Sequence, residues 1–151
     1  MNVQKNKGKG FTIIEVVLVL AIAGLIFLMV FIALPALQRS QRDTQRRDDV
    51  SRFVSQLNSY ATNNRGDLPD EGAEINDFLN SYMKADVGEY NDPSTGDPYT
   101  VSAAAPSTGR IQYDKNRACN GENVGTQDAG GRQAAVRIQL EGSGFFCQNA
   151  K

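Results

Sequence analysis

The chain has 151 residues, of which 22% are charged, and its formal net charge at neutral pH is −1. It has no histidine and only two cysteines, so it lacks the commonest general base and has too few ligands for a structural zinc site, which argues against an enzyme. Residues 65–151 hold eight basic and thirteen acidic side chains, a net charge of −5 that disfavours binding to nucleic acid.

The first ten residues are polar and basic, and a long apolar run follows them directly. They contain three lysines and end at Gly10, and residues 11–37 are almost entirely apolar. About 20 apolar residues suffice to cross a bilayer as a helix, and the lysines favour an N-terminus in the cytoplasm. A secretory signal is cleaved after its apolar region, at a site marked by small residues. Here the small residue, Gly10, precedes the apolar region. Cleavage after Gly10 would therefore leave the helix on the mature protein.

Glu15 interrupts the apolar run. An ionised carboxylate inside a span costs about 2.5–3.5 kcal/mol on insertion scales, so an acid there is a candidate functional residue. The alternative is a tolerated acid near the end of an ordinary span. Cleavage after Gly10 would create a cationic amine on Phe11, one helical turn before Glu15. The two charges could then pair within one subunit or between neighbouring subunits.

The basic leader, Gly10, Phe11, the string FTIIEVVLVLAIAG and Glu15 as the fifth residue after the cut resemble the N-terminus of a type IV pilin. The resemblance implies cleavage by a prepilin peptidase between Gly10 and Phe11, with N-methylation of Phe11. It implies storage in the cytoplasmic membrane as a single-pass prepilin in the lipid bilayer. The pilus assembly machinery would then build a homopolymeric cell-surface filament for adhesion, motility or DNA uptake, without a cofactor.

Two alternatives share parts of this pattern. A pseudopilin of a type II secretion-like or competence apparatus would have the same N-terminus. A membrane-anchored domain that never polymerises would keep Gly10 attached to the mature chain.

The helix is predicted to continue to residue 64, with 11–37 as its transmembrane half and 38–64 as its amphipathic half. Apolar residues recur there at helical spacing and form one stripe: Val50, Phe53, Val54, Leu57, Tyr60 and Ala61. Asn63, Asn64 and Gly66 are predicted to end the helix, because asparagine and glycine suit a left-handed cap.

Gly24 and Pro35 are poor residues for the interior of this helix. Membrane helices tolerate a gentle proline kink. The alternative, implied by the resemblance to pilins, is that the segment between Gly24 and Pro35 loses helical order in the filament.

Residues 65–109 are predicted to connect the helix to the last part of the chain. The spacing from Ala73 to Met83 predicts a short helix, and the string NDPSTGDPY predicts a turn-rich loop. The loop resembles one that precedes the sheet in pilins and pseudopilins, and in some pseudopilins that region binds calcium. Asp92 and Asp97 are therefore calcium candidates, the alternative being two solvated turn formers.

Residues 110–151 are predicted to form a β head. Alternation predicts strands at Arg110–Tyr113 and Ala134–Leu140, and Gly144–Cys147 is a third short run. Three or four antiparallel strands on the amphipathic stripe make an α+β fold. Cys119 and Cys147 are predicted to form one disulfide in an oxidising compartment.

Overall fold

The computed structural model describes residues 10–151, so the predicted leader, except for Gly10, lies outside the described residues. The described residues form two compact units, one ending at Gln38 and the other comprising Arg39–Lys151. Helix α1 (Ile13–Asn63) contributes its apolar part to the first unit and its amphipathic part to the second.

The first unit is an apolar helical segment with exposed side chains. Thr12 precedes the first helical residue, and its Oγ1 accepts a hydrogen bond from the backbone N–H of Glu15 at 3.4 Å, as an N-cap does. The helix continues through Gly24 and Pro35. It is long and apolar enough to cross a membrane.

The second unit contains the rest of α1, helix α2 (Ala73–Tyr82), a 3₁₀ turn (Ala85–Val87) and six strands. The strands are β1 (Thr100–Ser102), β2 (Arg110–Lys115), β3 (Arg117–Asn120), β4 (Asn123–Asp128), β5 (Ala134–Gln139) and β6 (Phe145–Ala150). One sheet has the order β1-β2-β5-β6, and β3 and β4 form a separate two-stranded sheet. Neighbours in the larger sheet are antiparallel, except that β1 runs parallel to β2.

This architecture confirms the predicted α+β class and corrects the predicted sheet. The three predicted strands are present as β2, β5 and β6, and α2 lies where the spacing places a helix. The parallel strand β1 was not predicted, because it has only three residues. Residues 103–109 connect it to β2, and this connection is far shorter than parallel strands usually need. The β3–β4 pair was missed because its residues are mostly polar and do not alternate, although Asn120-Gly121 is a hairpin signal.

The core of the second unit lies between the two helices and one face of the larger sheet. Helix α1 buries most of the predicted stripe: Val50, Phe53, Val54, Leu57 and Ala61 are buried, and Tyr60 is partly buried. Phe53 is at its centre, with its ring edge-to-face with Phe78 at 5.3 Å and with Tyr113 at 6.3 Å between centroids. Burial of this stripe holds α1 on the sheet.

The end of α1 differs in detail from the predicted cap. The N–H of Gly66 donates to the carbonyl of Ala61 at 2.7 Å, which is the long hydrogen bond of a Schellman motif. Arg65 (φ 62°) and Gly66 (φ 88°) take the left-handed positions. Asn64 instead uses its side-chain amide to donate to the carbonyl of Tyr60.

The β3–β4 hairpin covers the sheet face that points away from α1. The predicted disulfide between Cys119 in β3 and Cys147 in β6 is confirmed, with 5.8 Å between the two Cα atoms. The N–H of Cys119 donates to Asn149 Oδ1 at 2.7 Å, and Arg137 Nη2 donates to Asn123 Oδ1 at 2.9 Å. The hairpin is therefore attached by one covalent bond and several polar contacts.

Candidate functional site

Phe11 and Glu15 lie together in the first unit. They line one shallow groove with Val16, Val19 and Leu20. Phe11 is 85% exposed. The nitrogen of Phe11 is part of a peptide bond in the uncleaved chain, so a charge pair with Glu15 requires the predicted cleavage. Phe11 lies before the first residue of α1, Ile13, so the two residues share the groove but not the helix, and the charge pair itself stays a prediction.

Glu15 also occupies the third position of α1, where a carboxylate is favoured by the helix dipole. That interaction contributes about 0.3–1 kcal/mol at an exposed site. An ionised carboxylate costs about 2.5–3.5 kcal/mol at the centre of a span, and Glu15 is the fifth residue of the apolar run. At that full cost the dipole alone would not offset entry into apolar surroundings, and a positive partner would offset part of the remainder.

The apolar surface of this segment is large and continuous. Between Phe11 and Leu37 the large apolar side chains expose 45–86% of their surface. Soluble monomers rarely expose an apolar patch larger than a few hundred Å². This surface therefore requires a lipid or protein environment.

In a comparison with protein families, residues 5–31 match the model described as the prokaryotic N-terminal methylation motif. The match covers the stretch that resembles the N-terminus of a type IV pilin or pseudopilin, and it includes Gly10, Phe11 and Glu15. Searches of curated proteins and of solved structures found no match to the chain.

A second arrangement of charged groups lies in the unit comprising Arg39–Lys151, around a buried arginine. Arg46 in α1 is 1% exposed. Its Nε donates to Asp92 Oδ2 at 3.0 Å and its Nη2 to Asp92 Oδ1 at 3.1 Å, a two-pronged pair. Nη2 also donates to Ser94 Oγ at 2.8 Å and lies 3.4 Å from Glu141 Oε1, and Nη1 donates to the carbonyl of Gln139 at 3.2 Å. We call these five residues the Arg46 cluster.

Both members of the central pair keep their charge. Burial would raise the pKa of Asp92, but hydrogen bonds from Arg46 and Ser94 outweigh burial, and the pKa lies below its ordinary value. Burial would likewise lower the pKa of Arg46, and the hydrogen bond to Asp92 and the charges of Asp92 and Glu141 instead raise it. The pair is ionic at neutral pH.

Two residues of α1 near Arg46, Arg42 and Asp43, make further contacts with the turn between β5 and β6. Arg42 donates from Nε to Glu141 Oε1 at 2.8 Å and from Nη2 to Glu141 Oε2 at 2.6 Å. These hydrogen bonds lower the pKa of Glu141. Asp43 accepts hydrogen bonds from the backbone N–H of Glu141 at 2.6 Å and of Gly142 at 2.8 Å. Helix α1 is thereby tied to the sheet by charges as well as by its apolar stripe.

The structure does not favour the calcium hypothesis for Asp92 and Asp97. Both carboxylate oxygens of Asp92 already accept hydrogen bonds from Arg46, and the side chain of Asp97 is exposed. Within residues 10–151, no group of three or more histidine, cysteine or acidic side chains is placed to hold a metal ion. The buried carboxylate has a guanidinium as its partner.

Sequence reasoning missed Arg46. A signal was present, because Arg46 precedes Val50 by four residues and so extends the apolar stripe by one turn. An arginine at a buried helix position requires an acid opposite it. The choice of Asp92 among thirteen acids beyond residue 64 depends on how the chain folds.

Proposed function

We propose that this chain is a prepilin whose mature form is a structural subunit of a type IV pilus. The methylation motif at residues 5–31 carries the proposal. The exposed apolar helix and the disulfide-bonded unit beyond it support the proposal. The chain itself performs no catalytic step in this scheme, because the peptidase cleaves it and methylates it.

The proposed mechanism begins with cleavage of the prepilin. Water hydrolyses the Gly10–Phe11 peptide bond, leaving a carboxylate on the leader and a cationic amine on Phe11. Glu15 of an incoming subunit then pairs with the amine of a subunit already in the filament. Each charge alone is costly in apolar surroundings, and pairing removes most of that cost only in the correct register.

The apolar helices supply the contact area for assembly. Each subunit leaves the bilayer by exchanging lipid contacts for contacts with neighbouring helices. Repeated head-to-tail contacts whose rotation does not close produce an open helical filament. In this arrangement the segment 11–37 forms the filament core, and the acidic region after residue 64 faces outward.

The decisive experiment is the mass of the mature N-terminal peptide, combined with electron microscopy of sheared surface material. We expect a peptide that begins at N-methylated Phe11 and filaments that contain this chain. An intact leader would refute the assignment. Processed subunits found only in short filaments retained in the envelope would indicate a secretion or competence pseudopilus instead.

The role of Glu15 is tested with Glu15→Val. We expect membrane insertion and leader removal to continue, while filament yield falls to background, because an unpaired amine in the core costs about 3–5 kcal/mol per subunit. Glu74→Val changes an exposed acid on α2 and is the matched control. Filament yield that is equal for the two variants would contradict charge pairing.

A further inference from the structure

We propose that the Arg46 guanidinium serves as a built-in cation, occupying an oxygen-lined site that organises the 91–98 loop and the β5–β6 turn. In this role Arg46 would hold the unit Arg39–Lys151 in its folded form whether or not filaments assemble.

The oxygens around Arg46 come from two distant segments of the chain. The 91–98 loop supplies both carboxylate oxygens of Asp92 and Ser94 Oγ. The end of β5 and the turn after it supply the carbonyl of Gln139 and Glu141 Oε1. Carboxylate, hydroxyl and carbonyl oxygens are also the ligands that hard cations prefer. Here these oxygens are spread around the three nitrogens of one guanidinium group.

The 91–98 loop is built around the same carboxylate. Asp92 Oδ1 accepts hydrogen bonds from the N–H of Ser94 at 2.8 Å and of Thr95 at 3.3 Å, and also from the Ser94 hydroxyl. The loop closes through backbone bonds from Gly96 N–H to the carbonyl of Asp92 at 2.8 Å and from Asp92 N–H to the carbonyl of Asp97 at 2.9 Å. Its fold therefore depends on a carboxylate that is 1% exposed.

The neighbouring charges do not replace Arg46. Arg42 is paired with Glu141 in a two-pronged contact, and Asp43 adds a negative charge beside the same turn. With Arg46 absent, Asp92 would be a buried carboxylate without a positive partner. The space left beyond the Cβ atom of residue 46 would have the shape and the hydrogen-bond acceptors that suit a free guanidinium ion.

The test compares Arg46→Ala with Arg47→Ala in the full chain, held in detergent micelles with the disulfide intact. Arg47 is the adjacent, exposed arginine of the same helix, and its guanidinium lies 5.2 Å from the centroid of the Phe146 ring. We expect Arg46→Ala to lower the thermal midpoint, followed by near-ultraviolet circular dichroism, by roughly 10–20 °C. Arg47→Ala should lower it by no more than a few degrees.

Rescue of the Arg46→Ala variant by free guanidinium ion tests whether the space left by Arg46 is a cation site. Guanidinium chloride at low millimolar concentration, far below its denaturing range, should raise the midpoint of Arg46→Ala in a saturable way. Sodium chloride at equal concentration should not, and neither wild type nor Arg47→Ala should respond. Arg46→Lys should also fail to respond, because its own side chain occupies the space with a single ammonium group. Calcium chloride and EDTA should leave the wild-type midpoint unchanged.

Three results would overturn the proposal. The first is an Arg46→Ala midpoint equal to that of Arg47→Ala, and the second is a wild-type midpoint that moves with calcium or EDTA. The third is the absence of guanidinium rescue. If Arg46→Ala does not fold alone, its refolding yield is measured with and without guanidinium. A yield that guanidinium does not raise would overturn the proposal in the same way. These readouts use isolated subunits, so a failure to form filaments does not affect them.

Discussion

The Cys119→Ala/Cys147→Ala variant is expected to lower the free energy of unfolding of the unit Arg39–Lys151 by about 3.5 kcal/mol at 25 °C. The two cysteines are separated by 28 positions. A crosslink of that length removes about 12 cal/mol/K of chain entropy from the unfolded state, which gives this figure. Domains are typically stable by about 5–15 kcal/mol, so the loss is a large fraction of the total.

The loss should be accompanied by faster opening of the β3–β4 hairpin. Without the disulfide, the hairpin keeps the bonds from Cys119 N–H to Asn149 and from Arg137 to Asn123, of which the first uses only the backbone of residue 119. The N–H of Phe145 in β6 also donates to Glu122 Oε2, in the turn between β3 and β4, at 3.2 Å. Such contacts at a partly exposed surface are individually worth about 1 kcal/mol. The hairpin should stay docked but exchange its amide hydrogens faster than β2 and β5.

Urea unfolding of the full chain in micelles measures the first effect, and hydrogen exchange followed by mass spectrometry measures the second. The variant should also show a larger dependence of the unfolding free energy on urea, because its unfolded state exposes more surface. Wild type treated with a reductant is the control and should match the variant within about 0.5 kcal/mol. A loss below about 1 kcal/mol, with an unchanged urea dependence, would refute the loop-entropy reasoning.

Two further changes test the core and the buried ion pair. Phe53→Ala should destabilise the unit by about 3–5 kcal/mol, because Phe53 is 0% exposed and packs edge-to-face on Phe78 and Tyr113. If urea unfolding shows a loss of stability below about 1 kcal/mol, the assigned core is wrong. The pKa of Asp92 is lower in the folded chain than its ordinary value, so its ionic contribution is present at neutral pH and is lost as the pH falls through the folded pKa. The stability difference between wild type and Asp92→Asn should therefore shrink below about pH 4, and a difference that is constant with pH would show that the ionic pair is not its source.

Several features of this protein could be predicted from the sequence because they depend on local patterns. The apolar run 11–37 needs only length and composition. The stripe from Val50 to Ala61 and the strand from Ala134 to Leu140 follow from periods of 3.6 and 2, which determine the face that each element buries. Gly10, Phe11 and Glu15 could be singled out because their order before and within the apolar run resembles that of a type IV pilin. The disulfide could be predicted because two cysteines allow only one intramolecular pairing.

The tertiary structure decided the features that depend on distant partners. Arg46 and Asp92 are 46 positions apart, and Arg42 and Glu141 are 99 apart. No local period identifies which acid faces which arginine, because hydrogen bonds require atoms to approach within about 3 Å and that approach depends on packing of the whole unit. The same holds for β1, whose three residues become a strand only beside β2. The sequence by itself thus determined which surfaces are apolar and where the N-terminus is cut in the proposed scheme, while the fold determined which charges hold the unit Arg39–Lys151 together.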